Sequence, residues 1–266
     1  MTAARAVLAA ALAIVVLGTA CEGTNEDSTR TGTSPATKRT IDEAPSSATE
    51  TIRETASGYS VEIDPANFID TVDNPYFPLE PGMKWVLKGE TSEAKEVDTI
   101  KVLEKTEEVM GVMTTVVLDI VTANGELAEK TWDWYAQDRE GNVWYFGEET
   151  AEYEDGKKVS SAGAWEAGKD GALPGIIMAA DPKVTDSFRQ EYYKGEALDM
   201  FWVVRTGATK ITPYKKFDDA VHTLEWSPLE PNVIVEKYHA RGVGLIAEKA
   251  LAGGKEIFEL VSFEQP

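Results

Sequence analysis

The sequence predicts a mainly β protein: a single domain made of one strongly curved antiparallel meander sheet, half-barrel or lipocalin-like, with little helix. Three observations predict it. Apolar residues alternate with polar ones with a period of two through most of the region from Tyr59 onward. Tight-turn signals separate these runs, Asn124-Gly125 being the strongest, because a type I′ turn needs positive φ at both central residues. No long stretch carries apolar residues at i, i+3 and i+4. A sheet of about nine or ten antiparallel strands seldom stays flat; it curls, closes or splits into layers.

Taken in order, Glu96 to Glu104 alternates charged with apolar side chains (Val97, Ile100, Val102), and Met113 to Val121 is rich in β-branched residues, so the two bracket a turn at Met110-Gly111. Asn124-Gly125 joins Thr114–Thr122 to Leu127–Gln137. The turn from Asp138 to Asn142 leads into Val143–Glu148, and Asp155-Gly156 turns the chain again. Four Gly and two Pro between Gly163 and Pro182 predict a long ordered loop crossing one end of the sheet. Strands resume at Ser187–Tyr193, Met200–Arg205, Lys216–Glu225, Val233–Ala240 and Ile257–Phe263, while Val243–Leu251 reads either as a strand or as one or two helical turns.

The chain ahead of this domain reads as an address and a tether. Arg5 precedes an unbroken apolar run from Ala6 to Leu17, shorter than the roughly 20 residues that span a bilayer, and then come Gly18, Thr19, Ala20 and the sole cysteine, Cys21. This order resembles a bacterial lipobox, with Gly18 where Leu, Val or Ile usually stands. It implies that residues 1–20 are a lipoprotein signal peptide, that Cys21 carries the lipid, palmitate included, and that the acyl chains dock the protein on the outer face of the plasma membrane. One cysteine excludes an internal disulfide framework and any multi-thiolate zinc site. From Cys21 to residue 58 the chain is rich in Ser and Thr and lacks aromatics, which predicts a disordered tether; Thr49–Thr55 could form a transient helix within it. Residues 59–266 form the β domain.

The chain carries 26 Lys+Arg against 46 Asp+Glu, a net charge of -20, of which the β domain holds -18. So acidic a surface repels phosphate backbones, which excludes nucleic acid as a partner. It predicts a well-solvated monomer standing off its membrane.

Several motifs stand out: Asn74 to Leu79 (NPYFPL) with Pro81, Gly82 and Trp85, then Asp133 to Asp138 (DWYAQD), Gly141 to Glu148 (GNVWYFGE) and Ala172 to Gly175. Together they resemble an uncharacterised family of bacterial, chiefly actinobacterial, envelope lipoproteins. Glu236 to Gly244 resembles the closing strand of several curved-sheet lipoproteins. The resemblance implies an envelope protein with a strongly curved β-sheet; it brings no activity, catalytic residue or cofactor.

For a site, alternation on Leu127–Gln137 puts Thr131, Asp133, Tyr135 and Gln137 on one face and Trp132, Trp134 and Ala136 on the other. Trp144 and Phe146 share a face of the next strand, and Val143 and Tyr145 the other. One reading is a Trp-packed core with a wet outer face. The functional reading is a concave binding face for a small or hydrophobic ligand such as a lipid, drawing on Asp133, Tyr135, Gln137, Trp144, Trp165, Gln190 and Glu191, because buried polar groups need partners. A glycan-binding module, with exposed Trp and Tyr stacking on sugars, is the alternative. Asp138, Glu140, Asn142 and Glu149 match four positions of a calcium loop, but Val143 stands where that loop needs Gly, so no metal site is assigned. His222 and His239 read as core or surface residues. No nucleophile elbow or phosphate loop occurs, and catalysis is reduced to a carboxylate-based hydrolase drawing on Asp133, Glu148 and Glu166.

Overall fold

Alternating side chains and Gly-bearing turns fold here into one continuous antiparallel ladder that curves back on itself. The computed structural model describes residues 52–55, 58–91 and 94–266. The segment read as a signal peptide, Cys21 and most of the stretch read as a tether lie outside the described residues.

Strand β1 (Ile52–Thr55) pairs with β2 (Gly58–Val61), so the stretch read as a transient helix is extended over these four residues. A 3-10 turn at Pro65–Asn67 precedes β3 (Phe68–Ile69), which adds to the edge of a later strand. The meander then runs through β4 (Lys84–Glu90), β5 (Lys95–Val109), β6 (Val112–Ala123), β7 (Glu126–Asp138) and β8 (Val143–Glu154). Each is hydrogen-bonded to the next, from β5 onward through the turns read from the sequence; β4, which carries the Trp85 of the first motif, is a strand the sequence reading does not include.

The segment Gly163–Pro182 differs from expectation. Instead of a loop over the sheet it contributes β10 (Trp165–Glu166) and β11 (Leu173–Met178), which pair with β8, as does β9 (Lys157–Ser160). Glycines here serve close approach: a Cβ on Gly175 of the segment would collide with the carbonyl oxygen of Arg189, and one on Gly147 of β8 with that of Trp165. Beyond it lie β12 (Ser187–Arg189), β13 (Glu191–Tyr192), β14 (Met200–Ile211), β15 (Lys216–Trp226), β16 (Ile234–Ala240), β17 (Gly244–Ala252) and β18 (Ile257–Glu264). The ambiguous stretch from Val243 is thus strand.

Strand β18 pairs with β4, joining the C-terminal and N-terminal runs. The sheet runs β12-β14-β15-β16-β17-β18-β4-β5-β6-β7-β8-β11-β13. Its two ends, β12 and β13, are consecutive in the chain, separated by Gln190 alone. One short segment therefore pairs with β14 on one side and with β11 on the other, and the sheet is a nearly closed barrel. Helix among the described residues is confined to 3-10 geometry.

One end of the barrel is plugged by the NPYFPL motif. The side-chain carbonyl of Gln137 accepts from the backbone N–H groups of Asp73 (2.9 Å) and Asn74 (2.8 Å), while its amide donates to Asp73 Oδ1 (2.6 Å). Asn74 Nδ2 donates to the carbonyls of Gly141 (2.9 Å) and Ala179 (3.0 Å). On the opposite wall Arg241 binds Asp219 (2.7 Å) and the hydroxyl of Tyr76 (2.7 Å), and Trp85 Nε1 donates to the Val243 carbonyl (2.7 Å). The motif is thus a structural cap tied to β7, the β7–β8 turn, the end of β11, β15 and the β16–β17 turn. The cap expected from Gly163–Pro182 is supplied by Asn74–Leu79.

Candidate functional site: an acidic lumen under the cap

The interior of a small barrel is filled by side chains or holds a small ligand; this barrel turns carboxyls inward. Alternation on β7 sends Glu129, Thr131, Asp133 and Tyr135 to the lumen, all buried. On β5 the same parity buries Glu96 and Asp98, leaving Val97 half-exposed, which inverts the polarity expected at the start of that strand, while Val102 further along is buried as expected. Asp119 on β6, Glu191 on β13, Glu225 on β15 and Glu248 on β17 are buried as well.

A bulge completes the cluster. Asp133 pairs with Glu148 but Tyr135 with Tyr145, so β8 carries one extra residue in this interval, where Gly147 has φ 128°. Before the bulge odd positions of β8 face the lumen, and after it even positions do. Tyr145 and Glu148, on opposite faces of a regular strand, are thereby brought together: Tyr145 Oη lies 2.8 Å from Asp133 Oδ1 and 3.0 Å from Glu148 Oε2. A phenol has one proton to donate, so the second carboxyl must bring a proton of its own.

Electrostatics agree. Burial, then the neighbouring carboxyl Asp119, pushes Asp133 well above the usual carboxylate range; burial with Asp133 and Glu191 does the same to Glu148. Asp98 is raised by burial and by Asp119, and Glu191 by burial and Asp199. Burial and Asp119 lift Glu129 to about 8, and burial lifts Glu248 and Asp199 to about 7. Among these acids stands one base, Lys237 of β16, with Nζ 2.9 Å from Glu225 Oε2 and 3.9 Å from Glu248 Oε2. Burial disfavours its ammonium, but Glu225 and Glu248 outweigh that and hold its pKa above the ordinary value. His239, also lumenal and 5% exposed, is lowered by burial to about 4, and its Nδ1 has no hydrogen-bond partner.

A cavity of about 60 Å³ opens between this charged floor and the cap. Its walls come from β4 to β7, β11 and β15 to β17, strands that only a lumen could gather; Phe77, Pro78 and Leu79 roof it, and Asp119, Asp133, Glu225, Lys237 and His239 reach it from below. Half-exposed Ile100, Ile177 and Leu245 supply apolar wall.

Of the residues read from the sequence, Asp133 and Tyr135 line this cavity. Glu191 and Gln190 are buried at the seam of the barrel. Gln137 holds the cap. Trp144 faces away from the lumen and donates its indole N–H to Asp138 Oδ2 (2.9 Å). Trp165 packs edge-on against Tyr145 and, with Trp134, Glu148 and Glu166, lines a separate cleft of about 320 Å³. Asp138 spends its oxygens on Trp144 and on its own turn, accepting from Glu140 N and Asn142 N, and no group of three or more His, Cys, Asp or Glu among the described residues is arranged to hold a metal ion. His222 lies off the lumen, 3.0 Å from Glu236 and stacked on Tyr238. Sequence reading missed Asp98, Asp119, Glu129, Glu225, Lys237 and Glu248. The available signal was Glu129, Thr131, Asp133, Tyr135 and Gln137 at period two, a wholly polar face opposite a Trp-bearing one.

Fold and lumen define an antiparallel β-barrel protein with a charged interior. No family model matches the chain, and no curated protein matches it. Among solved structures, the chain is similar to a candidate lipoprotein from Parabacteroides distasonis ATCC 8503, at 12% identity, covering 74% of this chain and 100% of that one, with a TM-score of 0.35.

Proposed function

We propose that the protein is a lipid-anchored, non-catalytic binding protein of the cell envelope, whose barrel receives part of a small ligand in the cavity beneath the Asn74–Leu79 cap. The carrying observation is that cavity: apolar side chains on its walls keep exposed surface inside a folded barrel, while charged groups converge beneath them. Convergent polar groups in an otherwise apolar concavity are the usual make-up of a ligand site. Its size narrows the reading. At about 15 Å³ of this measure per water molecule, 60 Å³ is room for a headgroup or a short chain and not for a long acyl chain. The glycan alternative asks for a row of solvent-facing Trp, whereas Trp85, Trp134, Trp144 and Trp165 are buried and Trp202 alone among the described Trp is exposed.

The anchor rests on the order of apolar run, small residues and Cys21. Acylation contributes about 0.8 kcal/mol per buried methylene, so two or three chains hold a protein of this size on a bilayer. Native mass spectrometry of protein purified from its own host should show an added small-molecule mass that is lost in Ile177→Trp, which fills the cavity; an unchanged mass in both would reject the binding function. Labelled palmitate should enter the wild-type chain and not Cys21→Ser, and label in both would reject the anchor.

A further inference from the structure

The chemical class of the ligand follows from what surrounds the cavity, on the reading that the cavity is a binding site at all. The floor presents Asp119, Asp133 and Glu225 against one cation, Lys237, and that cation is already held by Glu225 at 2.9 Å and faces Glu248 at 3.9 Å. An anion arriving here would meet a neutralised lysine and surplus carboxyls. The roof and wall add the aromatic rings of Phe77, Tyr135 and Trp85, Phe77 lying edge-on to Tyr135 at 5.2 Å. Aromatic faces with carboxyls are the surroundings that stabilise an ammonium group. Independently, His239 lines the same cavity, is 5% exposed, and leaves Nδ1 without a partner; a neutral imidazole nitrogen accepts a hydrogen bond from an N–H donor.

We propose that the cavity binds the protonated amine end of a small organic amine, its carbon chain lying against Phe77, Ile100 and Leu245 and its N–H groups directed to Asp133, Asp119 and His239. No metal-type arrangement competes for this place among the described residues. The volume of about 60 Å³ suits a short alkylammonium.

Binding then displaces a proton. The Asp133 carboxyl is faced by Asp119 from β6, by Tyr145 and Glu148 from β8 and by Glu191 from β13, and these neighbours with burial favour its protonated form. An arriving ammonium ion stabilises the carboxylate, and the acid proton leaves to buffer.

The test is isothermal titration of the full chain with butylammonium chloride, butan-1-ol, sodium butyrate and calcium chloride at pH 6.5. Butylammonium should bind at least tenfold more tightly than butan-1-ol, with a heat that depends on the ionisation enthalpy of the buffer, and butyrate and calcium should be silent. Asp133→Asn, which imitates the protonated acid and so keeps the fold, should weaken butylammonium at least tenfold and leave butan-1-ol unchanged. Ile177→Trp should abolish both. Equal binding of alcohol and amine would overturn the ammonium assignment while leaving the cavity as a binding site. Preference for butyrate or calcium would overturn it in favour of another ion. Silence of all four would reject the assignment and the cavity together.

Discussion

Lys237 shows how one side chain holds a barrel wall together. It is the one Lys or Arg that is buried among the described residues, and it faces carboxyls on the two strands that flank its own. Removing one partner of a buried ion pair costs more than the pair contributes, because the survivor is left charged and desolvated. Lys237→Met should therefore destabilise the protein by about 3–5 kcal/mol at pH 7.5, measured by urea denaturation. The loss should shrink at pH 5.5, where Glu248, at about 7 in the fold, takes up a proton and no longer needs the ammonium. A loss independent of pH would contradict the part given to Glu248 and leave the closer pair with Glu225. At this scale the sequence is poorly legible. Lys237 sits in an ordinary polar-apolar alternation, Glu236, Lys237, Tyr238, His239, and nothing in that order says which parity faces inward.

At the scale of elements, two irregularities decide the site. The bulge at Gly147 changes the facing parity of β8 and sets Glu148 beside Asp133. The seam at Gln190 turns one segment into two half-strands that fasten the barrel. Gly175 makes the seam possible, since a Cβ there would strike the Arg189 carbonyl and the Gln190 backbone, neither of which can move without breaking the pairing. Gly175→Ala should cost about 1–3 kcal/mol, as overpacking does, and hydrogen exchange should locate the damage in Ser187–Tyr192. Uniform exchange across the barrel, or no change, would argue against a seam. The long strands and their turns were readable because alternation and Asn-Gly or Asp-Gly signals are local. The half-strand β10 was not, because a pair of two residues leaves no periodicity and the Gly and Pro around it imitate a loop; β12 and β13 fall within the single strand read at Ser187–Tyr193, and the break at Gln190 leaves no local signal.

For the whole molecule, the carboxyls inside matter as much as the charge outside. Acids whose pKa is raised on folding stabilise the fold fully below their unfolded pKa, near 4, and that contribution is lost as pH rises through the folded value. Glu129 at about 8, with Glu248 and Asp199 at about 7, places the loss between about pH 4 and pH 8, and Asp98, Asp133, Glu148 and Glu191 act in the same direction. A shift such as that of Glu248 amounts to roughly 3–4 kcal/mol once the group is ionised. The melting temperature should be highest near pH 5 and fall by several degrees by pH 9. Glu129→Gln, fixed in the neutral form, should flatten the upper part of that slope. A melting temperature that is level or rises between pH 5 and pH 9 would contradict the arrangement of the lumen.

By itself the sequence determined the class of fold, most of the long strands and the turns between them, because period-two patterning and glycine-bearing turns act within a few residues. It also carried the acidity of the domain. Only the tertiary structure decided where that acidity goes. Closure of the barrel across Gln190 and the bulge at Gly147 bring carboxyls from β5, β6, β7, β8, β13, β15 and β17 into one lumen, where those of Glu225 and Glu248 flank Lys237. Proximity of that kind depends on pairing between strands far apart in the chain, which no local pattern encodes.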